Sequence, residues 1–245
     1  NQENEFFGED LGFSSNDLPS AFSLEEYAIV SDQGRSSSCV GFAVAGAMSI
    51  VYNLLHNYGN KSFDRKVVNK FDPFYLYCSI KSTSDIECVS SGGCECGSWP
   101  SDALEVIKNY GCKKTGLYPD LQCAATLTKS NLRSLIYQTQ HYNIDGYVNL
   151  IEYYETRTGE WKPDVDISAI KKALAYKNPV ITGLSIKSDF SDLGKTNQPY
   201  AAIQGTSGGH AVTIVGYDDS KYGGAFRILN SYGFDWGDDG YFWIT

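Results

Sequence analysis

Positions 42, 43, 46, 47, 50, 51, 54 and 55 keep helical spacing and predict a helix over 39–57 (CVGFAVAGAMSIVYNLLHN). The serines at 36, 37 and 38 can cap its start, and Gly59 fits its end. Asp72-Pro73 opens a second helix over about 73–81, and Pro100 opens a third over about 101–110, stopped by Gly111. From about 140 the pattern turns to strands. IDGYVNL (144–150) and NPVITGLSI (178–186) read as strands, with a short helix over 166–176 between them. HAVTIVGYDD (210–219) and AFRILNSYG (225–233) read as an antiparallel pair joined by a turn containing Gly223-Gly224. Residues 153–163 look like an inserted hairpin, 18–30 look extended, and 1–17 are acidic without periodicity, a tail or the remnant of a longer segment. A helical half before a β half means an α+β fold or two adjacent subdomains. The division expected is a tail over 1–17, a mainly helical lobe over 18–135 and a β-rich lobe over 136–245, with 18–30 crossing to the β-rich lobe.

A chain of 245 residues is long enough to bury a core as one large domain or two small ones. Acidic residues outnumber basic ones 29 to 20, a net charge of −9, which argues against nucleic acid or an anionic membrane as partner. No apolar run approaches the roughly 20 residues of a membrane span. Nothing at the N-terminus reads as a signal peptide, and a chain starting at Asn1 suggests a processed or trimmed form. The seven cysteines, at 39, 78, 88, 94, 96, 112 and 123, are an odd number. The simplest arithmetic is three disulfides and one free thiol. That implies an oxidising compartment: secreted, periplasmic or lysosome-like. The competing reading is seven reduced thiols in a cytosolic protein. Cys88-x5-Cys94-x-Cys96 lacks the paired spacing of a zinc site and has no histidine nearby, so neither metal nor cofactor is expected.

Cys39 stands apart from the other cysteines at the start of the longest predicted helix, where the helix dipole favours a thiolate, the attacking form. A nucleophile needs a base, and there are three histidines. His56 lies on the same helix, about 25 Å along it. His141 sits in a polar junction without a motif. His210 follows a glycine-rich loop and opens an apolar strand, so it is placed to face a cleft. If the strands before and after residue 220 pair, Asn230 lies beside His210 and can orient its ring.

These residues carry a resemblance. Gln33-Gly34-x4-Cys39-Val40-Gly41-Phe42-Ala43 resembles the Gln-Gly-x-Cys-Gly-Ser-Cys-Trp-Ala-Phe block of papain-like cysteine peptidases. Gly209-His210-Ala211-Val212-x-x-Val215-Gly216-Tyr217 is similar to their histidine block, and Asn230-Ser231-Tyr232-Gly233-x-x-Trp236-Gly237 to their Asn-Ser-Trp-Gly block. Leu18-Pro19, Gly97-Ser98-Trp99-Pro100 and Tyr118-Pro119 extend the likeness over about 18–245. The resemblance implies a two-lobed α+β fold with the active site in the cleft between a helical lobe and a β-barrel-like lobe. It implies an endopeptidase in which Cys39 forms a thioester acyl-enzyme, His210 is the acid–base partner, Asn230 orients the ring and Gln33 donates to the oxyanion. Gly97, Ser98, Trp99, Pro100, Gly183, Gly209 and Tyr232 fall on the substrate side. Gly183 replaces a bulkier residue and implies an open apolar pocket walled by Trp99. The partners implied are a protein or peptide substrate, and a propeptide or protein inhibitor in the cleft of a monomer. Cys78 and Cys123 match one family disulfide pair, which leaves Cys88, Cys94, Cys96 and Cys112 for two bridges in any of three connectivities. Cys94 and Cys96 are too close in sequence to pair with each other.

The departures are specific. Val40 stands where an aromatic usually follows the nucleophile, Ser36 replaces the block's first cysteine, and Tyr232 replaces the tryptophan that shields the Asn–His hydrogen bond. Cys39 and His210 are 171 residues apart, longer than the usual roughly 130–150. The family also has β-segments beyond the point reached by Thr245, so a compact member or a trimmed C-terminus is expected. Two other functions compete: a peptidase-like binding protein without activity, and a Cys-His acyltransferase or transpeptidase using the same thioester. The intact set of Cys39, His210, Asn230 and Gln33 argues against the first. The Gln-Gly-x4-Cys block argues against the second.

Overall fold

A computed structural model describes residues 18–56, 69–83, 96–115, 141–195, 198–201 and 208–245. The first helix, α1 (Cys39–Leu55), is apolar nearly all round and is buried between two cores. Val40, Ala43, Val44, Ala45 and Met48 join a cluster with α2 (Pro73–Thr83) and α3 (Pro100–Asn109). Ile50, farther along α1, joins the cluster built on the sheet. Gly41 permits the close approach of α2, because a Cβ there would stand 2.5 Å from the Pro73 carbonyl oxygen. Asp72 Oδ1 caps α2 by accepting from Tyr75 N at 2.9 Å.

The main sheet is antiparallel. Its spine is β5 (Gly208–Asp218), paired along one edge with β6 (Ala225–Leu229), which pairs in turn with β7 (Tyr241–Ile244). Two strands share the other edge end to end. β4 (Val180–Ile186) pairs with residues 208–214, and β1 (Ala21–Ser23) with residues 216–218. Gly216 is required at that junction, since a Cβ would meet the Phe22 carbonyl oxygen at 2.5 Å. A separate hairpin, β2 (Ile151–Glu155) with β3 (Trp161–Val165), precedes α4 (Ile167–Ala175). Asp166 Oδ1 caps α4 through Ser168 N and Ala169 N.

The helices, the 153–163 hairpin and the β5–β6 pair lie where the sequence pattern put them. Gly223 and Gly224, with φ of 82° and 108°, make the β5–β6 turn. Other expectations change. Residues 144–150 form no strand, because no backbone among the described residues pairs with them; Tyr147 instead donates to Glu105 on α3 at 2.7 Å. Ser38 occupies the N-cap of α1 but makes no capping bond. β7 was not anticipated. Gly59, the boundary at 135/136, Tyr118-Pro119 and Cys88, Cys94 and Cys123 lie outside the described residues.

The cysteine arithmetic is also corrected. Cys78 and Cys112 are thiols, as is Cys39, so three disulfides cannot form and the Cys78–Cys123 pairing fails. Both are buried in the helical core. The Cys112 thiol donates to the Asp72 and Lys113 carbonyls, each at 3.6 Å, and burial pushes its pKa up. Cys96 is disulfide-bonded, to a partner outside the described residues. No helix among the described residues is long and apolar enough to cross a membrane.

Candidate active site

Cys39 is the first residue of α1, half-buried and packed against the helical core. That same cluster contains Ala211, the neighbour of His210 on β5. The placement follows from the packing of α1 on β5. Thr213 Oγ1 donates to the Ala43 carbonyl at 2.9 Å, one helical turn beyond Cys39 and three strand residues beyond His210. The helix start and the strand start are thereby held at the same end of the interface.

His210 Nε2 meets Asn230 Oδ1 at 2.7 Å. Asn230 immediately follows β6, so the pairing of β5 with β6 creates the contact. With Nε2 engaged, Nδ1 is the ring nitrogen left for proton exchange. Burial lowers the His210 pKa, and the hydrogen bond to Asn230 draws it back up. The ring is enclosed by aromatics: Tyr232 at 5.1 Å and Phe190 at 5.5 Å between centroids, with Trp236 packed on both. Trp236 Nε1 donates to the Ser191 carbonyl at 2.9 Å, which anchors this wall.

Gln33 sits in the turn before α1. Asp32 Oδ1 accepts from Gly34 N at 2.8 Å, and Gly34 has φ of 59°, a left-handed value that favours glycine. The Gln33 side chain is fixed at both ends. Its Nε2 donates to the Ser36 carbonyl at 2.8 Å, and its Oε1 accepts from Ser231 Oγ at 2.5 Å. One of the two Nε2 protons is thereby committed. Ser36, standing where the resembling block has a cysteine, ties the turn with hydrogen bonds instead: its Oγ donates to the Gln33 carbonyl at 2.7 Å and meets Ser38 Oγ at 2.5 Å.

The 96–99 segment leads through an extended Trp99 into α3, which begins at Pro100. Two side chains of α2 hold it. Tyr77 Oη donates to the Cys96 carbonyl at 2.7 Å, and Lys81 Nζ donates to the Gly97 carbonyl. Trp99 is 75% exposed, which suits a wall residue rather than a core one. On the sheet, Gly183 lies opposite Ala211 and next to the Leu184–His210 pair. A Cβ at Gly97, Gly183 or Gly209 would meet nothing within 4 Å, so this surface has room. Tyr77, Lys81 and Phe190 escaped the sequence reading, and Ser231 entered it only as a member of the Asn230 block, without a role.

A family described as papain family cysteine protease matches residues 19–245. Cathepsin B-like CP2 of Giardia intestinalis is 30% identical over 238 residues, covering 92% of this chain and 68% of that protein. Ananain of Ananas comosus is 24% identical over 214 residues, and there the chain spans half of the relative's length. Among solved structures, xylellain, a cysteine protease from Xylella fastidiosa, superimposes with a TM-score of 0.60 at 24% identity, covering 94% of this chain and 81% of that one. Bromelain from Ananas comosus, solved with the E64 inhibitor, gives 0.56 at 19% identity, covering 93% and 90%.

Proposed function

The chain belongs to the papain family of cysteine proteases, and from that premise we propose that it is an endopeptidase working through a Cys39 thioester. The observation that carries this reading is the buried His210–Asn230 hydrogen bond at the strand start that packs against the start of α1. In the proposed cycle His210 takes the Cys39 proton at Nδ1, and the sulfur attacks the scissile carbonyl carbon. The oxygen that gains charge is met by Gln33 Nε2 and the Cys39 backbone N–H. Collapse expels the amine, which receives the proton from His210, and leaves the acyl group on sulfur. His210 then deprotonates a water, the water attacks the thioester, and the acid leaves as the thiol re-forms. Asn230 keeps the ring turned so that Nδ1 faces the sulfur. Because one group must be deprotonated and the other protonated, activity follows a bell-shaped pH profile.

The substrate is an extended peptide along Gly97, Ser98 and Gly209. The second residue before the scissile bond enters an open apolar pocket at Gly183, beside Trp99 and Pro100. Tyr232 borders the substrate beside His210. An oxidising compartment accords with the Cys96 disulfide, and the protein is proposed to act as a monomer. The division into a helical lobe to 135 and a β-rich lobe from 136 places Cys39 on the first and His210 and Asn230 on the second. Digestion of a peptide library, read by mass spectrometry, tests the reading. Internal cleavage by wild type that vanishes in Cys39→Ala supports it; no cleavage under reducing conditions leaves a peptidase-like binding protein, and an amine-dependent product leaves acyl transfer.

A further inference from the structure

Tyr232 is more than a cover for the His210–Asn230 bond. Its backbone is clamped to the turn that carries Gln33. Tyr232 forms a bridge with Asp32, Gln33 N donates to the Ser231 carbonyl at 2.9 Å, and Gly233 N donates to the Ser31 carbonyl at 3.0 Å. Its ring is held by three others: His210 at 5.1 Å and 39°, Trp236 at 5.5 Å and 82°, and Phe190 at 5.9 Å and 74°. These contacts fix the ring, and therefore the direction of its hydroxyl. Yet that hydroxyl makes no hydrogen bond among the described residues, while the neighbouring Ser231 and Asn230 both do. The phenol lies within electrostatic reach of the Cys39 sulfur, and burial first, then that sulfur, raises its pKa from the ordinary tyrosine value. It therefore stays protonated, a donor, across the range in which a thiol–imidazole pair works. The tryptophan of the resembling block would offer a ring N–H at this place and a phenylalanine no donor at all.

We propose that the Tyr232 hydroxyl is a third donor to the oxyanion formed on Cys39, beside Gln33 Nε2 and the Cys39 backbone N–H, and hence a catalytic residue. Three conditions meet here: a ring held by its neighbours, an O–H without a partner among the described residues, and a backbone bridged to the Gln33 turn while the ring packs on His210. The phenol makes no hydrogen bond to the sulfur itself, which leaves its proton for the oxygen of the tetrahedral adduct. The effect is on the adduct, not on the formation of the thiolate. The proposal rests on the Cys39 thioester chemistry argued above.

The test compares wild type with Tyr232→Phe, which keeps the ring and removes only the oxygen. Three quantities are measured: kcat and KM on a peptide anilide, the affinity of a peptide aldehyde, and the rate of alkylation by iodoacetamide. The aldehyde forms an S–C bond and a tetrahedral oxygen; iodoacetamide reacts by displacement of iodide and forms none. Tyr232→Phe is expected to lose about tenfold in kcat and in aldehyde affinity, a hydrogen bond's worth, with KM and the alkylation rate unchanged. Unchanged aldehyde affinity overturns the proposal. So does a parallel loss in alkylation, which would place the hydroxyl's effect on the thiol–imidazole pair. A second measurement needs no variant. In wild type with 13Cζ-labelled tyrosine, the aldehyde should shift one tyrosine resonance, and no shift overturns the role. If wild type itself neither binds the aldehyde nor is alkylated at Cys39, it is the thioester reading that fails.

Discussion

Ser231 holds Gln33 twice: its carbonyl accepts from Gln33 N at 2.9 Å, and its hydroxyl donates to Gln33 Oε1. The residue that follows Asn230 thus fixes the turn before α1. Gln33→Ala is expected to lower kcat by about 10²-fold or more with little change in KM, the signature of a donor that binds only the transition state. Ser231→Ala keeps the amide but loosens it, so its loss of kcat should be several-fold smaller. Steady-state kinetics on one peptide substrate checks both. A Ser231→Ala loss equal to that of Gln33→Ala would mean that Ser231 does more than position the amide.

Asn230 is buried, and its Oδ1 is the partner of His210 Nε2. Asn230→Ala leaves a buried imidazole N–H unpaired, at a cost of about 1–3 kcal/mol in stability. It should also lower kcat, because the ring is then free to turn Nδ1 away from Cys39. Chemical denaturation and kinetics on the same preparation separate the two effects.

The His210 pKa is lowered chiefly by burial, and so is that of His141. In the unfolded chain both imidazoles titrate near about 6.5. Above that pH neither state is protonated and the groups contribute no pH dependence. As pH falls below it the unfolded state binds protons first, so stability is lost through the window between the unfolded value and the lowered folded ones. The urea midpoint should therefore fall as pH drops below about 6.5. His210→Gln should reduce that slope without removing it, because His141 remains.

Gly183 presents open space beside the Leu184–His210 pair. Gly183→Leu fills it and should cut kcat/KM for substrates with a bulky apolar second residue before the scissile bond by tenfold or more. Substrates with a small residue there should be little affected. Equal losses for both would remove Gly183 from the specificity pocket.

Gly41 faces the backbone of α2, with a Cβ position 2.5 Å from the Pro73 carbonyl oxygen and 3.2 Å from Tyr77 Cβ. Gly41→Ala should cost about 1–3 kcal/mol by overpacking, although alanine is the better helix former. A lowered denaturation midpoint at unchanged m-value reports this.

The site was more legible in the sequence than the scaffold around it. Cys39 and His210 stand at the starts of apolar segments, where local pattern is strongest, and Asn230 follows a strand whose partner lies one turn away. The cysteine pairing was not legible, because burial of Cys78 and Cys112 in the helical core is a long-range fact that no count reveals. Residues 144–150 alternate like a strand, yet an alternating segment becomes one only where a neighbour offers its backbone. The serines before α1 had the chemistry of caps, but the turn claimed the Ser36 hydroxyl for the Gln33 carbonyl. Tyr77 and Lys81 act on Cys96 and Gly97 from an α-helix 16 or more residues earlier, and nothing local to either segment announces it.

The most direct measurement is peptide mapping after reaction with an epoxysuccinyl inhibitor. Among the described thiols, Cys39 is the one proposed to work with a base, whereas Cys78 and Cys112 are buried. The account predicts a single adduct, on Cys39, formed at least 10²-fold more slowly in His210→Ala, where the base contribution to nucleophilic attack is lost. An adduct on another cysteine, or an equal rate on Cys39 without His210, would contradict it.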